Sequence, residues 1–375
     1  MSYDAVVIGG GIVGASVGYH LARAGADALL VDRADPGRAT DAGAGIVSPA
    51  TSSRTASDAW FRLGVAAADY YPDLAADLRG AVDEVGYGRP GLLSVATDAD
   101  EAARLEQSLA RIRERQDRLG HPEAGSVATV SPEAARDRVP PLGHVERAFV
   151  VERAARVDGR TFAAALREAG RDRGLDVARE DARSLVLRDG AVAGVETEAD
   201  RYRADAAVVA GGAWSAAWGD QLGVDLPIEP LRGQIAHLDA DRETGDWPMV
   251  AGIGDHYLVP WPDGRIAAGA TREPGVGFDP ATTAAGVHEV LDATMDLAPG
   301  LGDAELASVR VGLRPTTPDG LPILGRVDAV AGAYVATGHG PTGLTVGPYS
   351  GRAVADLVLD EPAPVDLSPF APGRF

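Results

Sequence analysis

The sequence predicts an α/β protein: a dinucleotide-binding, Rossmann-like domain with a second, α+β domain interleaved into it. Three observations predict this. The chain opens with strand, glycine turn, helix, strand and acid. It closes with strand, glycine loop and helix. Between these ends no repeat, low-complexity segment or clean linker splits the 375 residues, a length that holds two domains.

The opening unit is the most specific part. Ala5 to Ile8 is a short apolar, β-branched run of the kind that forms a buried strand. Gly9, Gly11 and Gly14 follow in G-x-G-x-x-G spacing. The first permits a tight turn, the second lets backbone approach a pyrophosphate, and the third lets the helix pack on the strand. Ala15, Val17, Leu21 and Ala22 supply an apolar helical face, and Gly25 is placed to end the helix. Ala28 to Val31 is a second strand, ending on Asp32, an acceptor for a ribose diol. Helix N-termini attract phosphates through unpaired N–H groups. This fingerprint leaves NAD and FAD both open.

Arg33 to Pro49 is rich in small residues and lacks helical or strand periodicity. Such loops are usually functional, and small residues let backbone lie on a flat ligand. Asp58 to Arg79 carries Trp60, Leu63, Ala67, Tyr70, Leu74 and Leu78 at helical spacing. Gly91 to Ala96 predicts a strand, Asp98 to Leu119 a charged helix, and Ser131-Pro132-Glu133 a helix start. Residues 159–174 predict a helix and 175–177 a strand. Residues 182–188, 192–198 and 201–203 predict an antiparallel meander turning at Asp189-Gly190, with a separate buried strand at 206–210. Strands are expected at 228–238, 257–259 and 266–269, a helix at 282–298, a strand at 333–336, and a last helix at 344–359.

Composition narrows the chemistry. Hydrophobic residues make up 45% of the chain, enough for a globular core. No apolar run reaches the roughly 20 residues of a membrane span, and no signal peptide is recognisable, so a cytoplasmic protein is expected. The chain has no Cys, which excludes disulfides, thiolate nucleophiles and a cysteinyl link to a flavin. All 35 basic residues are Arg, so no lysine can act as base or Schiff-base amine. A net charge of −20 argues against nucleic acid and anionic membranes as partners. No metal site is expected.

Several motifs together resemble one family. They are the Gly9–Gly14 unit with Asp32, the stretch from Gly37 to Ile46, and Ala210-Gly211-Gly212-Ala213-Trp214-Ser215. They continue with Tyr257-Leu258-Val259-Pro260, Gly312-Leu313-Arg314-Pro315 through Gly320, and Gly338-His339-Gly340-Pro341-Thr342-Gly343-Leu344. In this order, over essentially the whole chain, they resemble the FAD-dependent D-amino-acid oxidase family, in its glycine oxidase and D-amino-acid dehydrogenase branch. The resemblance implies an FAD-binding Rossmann-like domain (1–80, 145–220 and 308–375) interleaved with a mixed antiparallel-sheet substrate domain (81–144 and 221–307). It implies non-covalent FAD. Gly9, Gly11, Ile12, Val13, Gly14, Asp32 and Arg33 would hold the ADP half, and Val177 would meet adenine through its backbone. Ala39, Thr40, Ala44, Gly45 and Ile46 would line the flavin, with Gly212 and Trp214 close by. The backbone from His339 through Gly340, Pro341, Thr342, Gly343 and Leu344 to Thr345 would face the flavin N1–C2=O edge. A helix N-terminus there suits the negative charge of reduced flavin. His339 itself has a second reading, as a packing residue beside that backbone.

Arg314 would clamp the substrate carboxylate, with Tyr257 adding a hydroxyl; a bidentate guanidinium fixes both charge and geometry. An ion pair between Arg314 and Asp319 is the alternative. The implied reaction is hydride transfer from Cα of a D-amino acid or glycine to flavin N5, giving an imine that hydrolyses to a 2-oxo acid. Two positions depart from the glycine oxidase pattern. A second substrate-facing Arg would fall at Pro341. Arg272 stands where an apolar pocket residue is expected; it is either a contact for a polar substrate or a solvated strand end. The acceptor stays open between oxygen and a quinone or carrier, as does the oligomeric state. Two other readings remain: a sarcosine- or D-proline-type secondary-amine oxidase or dehydrogenase, and a non-catalytic flavin-binding or accessory module.

Overall fold

The structure is a computed structural model that describes residues 2–52, 57–123, 125–254 and 256–375. The first strand β1 (Ser2–Ile8) leads through the glycine turn into helix α1 (Ile12–Arg23) and strand β2 (Ala28–Val31). Both strands lie at the centre of one sheet. Its parallel core runs Asp176–Ala178, β2, β1, Arg201–Val209 and Ala333–Thr337, with Ile323–Arg326 antiparallel at the edge. Central parallel strands are covered on both faces, which is why they read as continuous apolar runs.

Alternation sorts those runs into two cores. Ala5, Val7, Ala28 and Leu30 point to the face covered by α1 and by the helices Asp58–Leu78, Gly159–Arg171 and Gly343–Val358. Val6, Ile8, Leu29 and Val31 point to the other face, against Val209, Trp218 and Leu222. Each buried Val or Leu contributes about 1.5–3 kcal/mol over leaving it in water. The α1 helix ends at Arg23 with Ala24 as its C-terminal cap; Gly25 follows at φ +86°, with its N–H on the Ala22 carbonyl at 3.0 Å.

A second sheet of eight strands runs Glu305–Thr316, Glu229–Asp239, Arg265–Gly269, Tyr257–Pro260, Met249–Ala251, Leu92–Ala96, Arg147–Val151 and Val127–Val130. It is mixed, because Met249–Ala251 and Leu92–Ala96 pair parallel. The strands Arg147–Val151 and Glu305–Thr316 belong to this sheet, whereas the expected boundaries at 145 and 308 assign the first and most of the second to the other domain.

Two expectations are corrected. The stretches 201–203 and 206–210 are not separate elements: Arg201–Val209 is one strand, its start closing the meander and its end pairing β1 and Ala333–Thr337. The segment 33–49 is not structureless. It contains a helical turn, α2 (Ala39–Ala42), and a two-residue strand, Ile46–Val47, paired with Ala155–Val157. These pieces are too short to leave a period in the sequence.

Candidate active site

A cavity of about 720 Å³ runs between the two sheets, from Asp32 at one end to Arg314 at the other. Its walls follow from the fold. The strand β1 delivers Gly9 to Val13, β2 delivers Asp32 and Arg33, and α2 lies along the side. Ala210 to Trp214 follow the strand next to β1, and Ala336 to Thr345 follow the strand next to that. Ligand sites in parallel α/β sheets form outside the carboxyl ends of the strands, as here.

At the far end the second sheet forms the wall. Arg314 pairs with Leu231, Gly312 with Gly233, and Gly269 with both Ile235 and Tyr257. Directly paired residues share a face of a sheet, so Gly233, Ile235, Tyr257 and Arg314 all turn toward the cavity they line. The Arg314 guanidinium lies flat on Gly233: a Cβ there would collide with Cζ and both Nη atoms. Arg314 Nη1 donates to the Thr271 carbonyl at 3.0 Å. The Tyr257 hydroxyl similarly lies over Gly269, where a Cβ would stand 2.9 Å from it. Asp319 is engaged elsewhere, accepting from Arg374 Nε at 2.8 Å, which removes the alternative of an Arg314–Asp319 pair.

Thr271 is itself held. Its hydroxyl donates to Glu273 Oε1 at 2.6 Å and accepts the Gln234 N–H at 2.9 Å. Arg232 Nη2 meets Glu273 Oε2 at 2.7 Å. Burial opposes ionisation of Glu273, but the Thr271, Gln234 and Arg232 donors outweigh it and lower its pKa. The carbonyl that orients Arg314 is thus part of an ionised, hydrogen-bonded network.

At the near end Asp32 Oδ2 accepts from Arg38 Nη1 at 2.6 Å, and Arg38 also reaches Asp41 at 2.8 Å. Burial disfavours the charge of Arg38, but these carboxylates hold its pKa above the ordinary value. A carboxylate has about four acceptor positions, so Asp32 keeps capacity for a diol. Thr40 Oγ1 accepts the Ile12 N–H at 2.9 Å, fixing α2 against the start of α1.

The residues fit a flavin dinucleotide on three observations. The space over Gly11 is open apart from Thr40 Oγ1 at 3.0 Å, a cradle that a Cβ would partly fill. The helices α1 and Gly343–Val358 both start at this cavity with no acidic residue in the first turn, leaving their N-terminal fields to a ligand anion. His339 lines the cavity, is 4% exposed, and has an Nε2 with no hydrogen-bond partner. Burial pushes its pKa down to about 4, so it stands neutral at pH 7.

Of the expected site residues, Gly9, Gly11, Ile12, Val13, Asp32, Arg33, Ala39, Thr40, Ala44, Gly45, Ile46, Gly212, Trp214, residues 339–345, Tyr257 and Arg314 line this one cavity. Three do not. Gly14 is packed behind it, where a Cβ would strike the Gly9 carbonyl. Val177 is the middle of its strand, paired with Leu30, and Glu180 to Arg183 line the cavity instead. Arg272 is outside the lining, although its neighbour Thr271 orients Arg314. Sequence reasoning missed Gly233, Arg38 and Phe278 as wall residues. Gly233 did carry a signal, a glycine in a strand interior, which marks close approach of another group. Among the described residues no cluster of His, Asp or Glu is arranged to hold a metal.

Comparison with known proteins agrees with this geometry. The family model described as "DAO: FAD dependent oxidoreductase" matches residues 4–357. An uncharacterized oxidoreductase, YurR of Bacillus subtilis, is 40% identical over 370 residues, 98% of each chain. A glycine oxidase of Pseudomonas aeruginosa is 32% identical over 384 residues, covering 100% of both. Among solved structures, iminodiacetate oxidase from Chelativorans sp. BNC1 superposes with a TM-score of 0.92 at 40% identity, covering 98% of each chain. Glycine oxidase from Geobacillus kaustophilus superposes with a TM-score of 0.90 at 29% identity, covering 100% of this chain and 99% of that one. A cavity lined by the starts of two helices that carry no acidic residue in their first turns, and a family match over nearly the whole length, lead to one assignment: the chain belongs to the DAO family of FAD-dependent oxidoreductases, with FAD as its cofactor.

Proposed function

We propose that this protein oxidises the C–N bond of a small amino acid, glycine or a D-amino acid, whose carboxylate is held by Arg314 and Tyr257. The observation that carries the reading is the Arg314 guanidinium, laid flat on Gly233 in the cavity wall. A planar fork with two parallel N–H donors matches a carboxylate and fixes its plane. The Thr271 carbonyl takes one Nη1 donor, which sets the rotation of the fork. FAD, when bound, would supply the oxidising chemistry as a hydride acceptor. The chain supplies orientation and charge: Arg314 and Tyr257 position the substrate, and the start of the helix Gly343–Val358 offers its N-terminal field to negative charge on the cofactor.

A second reading has its own support. The 40% identity to iminodiacetate oxidase favours an N-substituted amino acid, a secondary amine still carrying the carboxylate that Arg314 would take. Anaerobic mixing with glycine, D-alanine, D-glutamate, sarcosine, D-proline and iminodiacetate separates the two by bleaching of the flavin absorbance. Bleaching fastest with primary amines supports the first reading, and bleaching only with N-substituted ones replaces it. No bleaching with any carboxylate-bearing amine would sink both and leave a non-catalytic flavoprotein.

A further inference from the structure

The segment between the strand Arg265–Gly269 and the helix Ala284–Leu297 sends one residue, Phe278, into the lining of the cofactor cavity. Phe278 is 51% exposed, the most exposed large apolar side chain among the described residues. Its ring stacks on Trp214, with centroids 5.5 Å apart and planes at 27°. The Arg33 guanidinium lies 5.7 Å from the same indole. Three segments distant in sequence therefore meet in one stack at the edge of the cavity, beside Asp32.

The placement of Phe278 is imposed from both sides. One buried guanidinium, that of Arg232, holds both arms of its segment, reaching Glu273 at 2.7 Å and Asp279 at 3.1 Å. Beyond Phe278, Pro280 rests on Gly37, where a Cβ would stand 2.8 Å from the proline ring. Between the arms, Gly275 and Gly277 take positive φ with nothing within 4 Å of a Cβ, so the tip is held by its ends and not by packing. A segment anchored at both arms loses little further entropy when it closes on a ligand.

We propose that Phe278 is a cofactor-retaining residue: stacked on Trp214 across the cavity entrance, it must be displaced before FAD can leave. The proposal rests on the assignment of FAD to this cavity. It gives the substrate-side sheet a direct part in holding the cofactor. Because Glu273 also fixes Thr271, whose carbonyl orients Arg314, the same segment ties both ends of the cavity together.

The test is release of FAD from purified holoprotein, followed by the rise of free-flavin fluorescence after dilution. Phe278→Ala should speed release at least tenfold and raise the Kd of reconstituted apoprotein to match. Phe278→Tyr, which keeps the stack, should stay within threefold of wild type. Asp279→Asn, which loosens one arm without touching the aromatic pair, should speed release threefold or more. Leu306→Ala, a comparably exposed side chain away from the cavity, should change nothing. Release from Phe278→Ala within threefold of wild type overturns the proposal, as does equal loss in Phe278→Tyr. Wild-type protein that binds no FAD at all would overturn the cofactor assignment instead.

Discussion

At the scale of single residues, Arg314 and Gly233 are one device. The Arg was legible from its motif. The glycine that makes room for it was visible only as a glycine inside a strand, because the group that approaches it comes from a strand some 80 residues later. Arg314→Ala should raise KM for a carboxylate-bearing amine at least tenfold, a loss of about 1.4 kcal/mol or more of substrate binding. Gly233→Ala should act in the same direction while leaving the fold intact. The clash it creates is with the mobile end of a side chain, and Gly233 is not among the positive-φ glycines. Steady-state kinetics with flavin content measured alongside checks both: an unchanged KM in Gly233→Ala would show that the guanidinium has another productive position.

At the scale of elements, the three glycines of the opening turn divide their work in a way spacing alone leaves implicit. Gly11 faces the cavity, and Gly14 faces the β1 turn. Gly11→Ala should therefore fold and bind FAD more weakly, by an order of magnitude in Kd. Gly14→Ala should fail earlier, because its methyl would collide with the Gly9 carbonyl and push α1 off the sheet. A destabilisation of about 2–4 kcal/mol is expected, read as lowered Tm of the apoprotein. Equal Tm values for the two variants would contradict this division. The segment after β2 gives the opposite lesson. Its small residues announced a ligand wall, but α2 and the strand Ile46–Val47 depend on contacts with Ile12 of α1, with Ala155–Val157 and with the sheet beside them, which no local pattern encodes.

At the scale of the whole molecule, the buried histidines make the protein acid-sensitive. Burial lowers the pKa of His20 to about 4, of His237 to about 3 and of His339 to about 4. Each is neutral in the folded protein at pH 5, whereas in the unfolded chain it takes up a proton near pH 6.5. The unfolded state therefore binds more protons between about pH 6.5 and 4, and stability falls as pH drops through that window. Each group contributes up to about 1.4 kcal/mol per pH unit. His237 is the cleanest probe, since both ring nitrogens lack partners and it lies outside the cavity lining. Burial dominates its shift; Arg310, Arg265 and Arg160 reinforce it and Asp158 opposes it. Urea midpoints at pH 7, 6 and 5 should fall more slowly for His237→Leu than for wild type, by about one proton in the pH dependence. Parallel profiles would mean that His237 takes up its proton over the same pH range in the fold as in the unfolded chain.

The sequence by itself determined the dinucleotide unit, the closing glycine loop, the family and the arginine. Each is written in consecutive residues whose period and spacing reflect local backbone geometry. Only the tertiary structure decided that residues numbered from 8 to 345 line a single cavity. It also decided that Asp319 belongs to Arg374 and not to Arg314, and that Val177 and Arg272 lie outside the wall. The reason is that pairing between distant strands sets which face of each strand meets the ligand. A one-residue change of register would turn Arg314 to the opposite face, and nothing local to the Gly312–Pro315 stretch of the strand Glu305–Thr316 specifies that register.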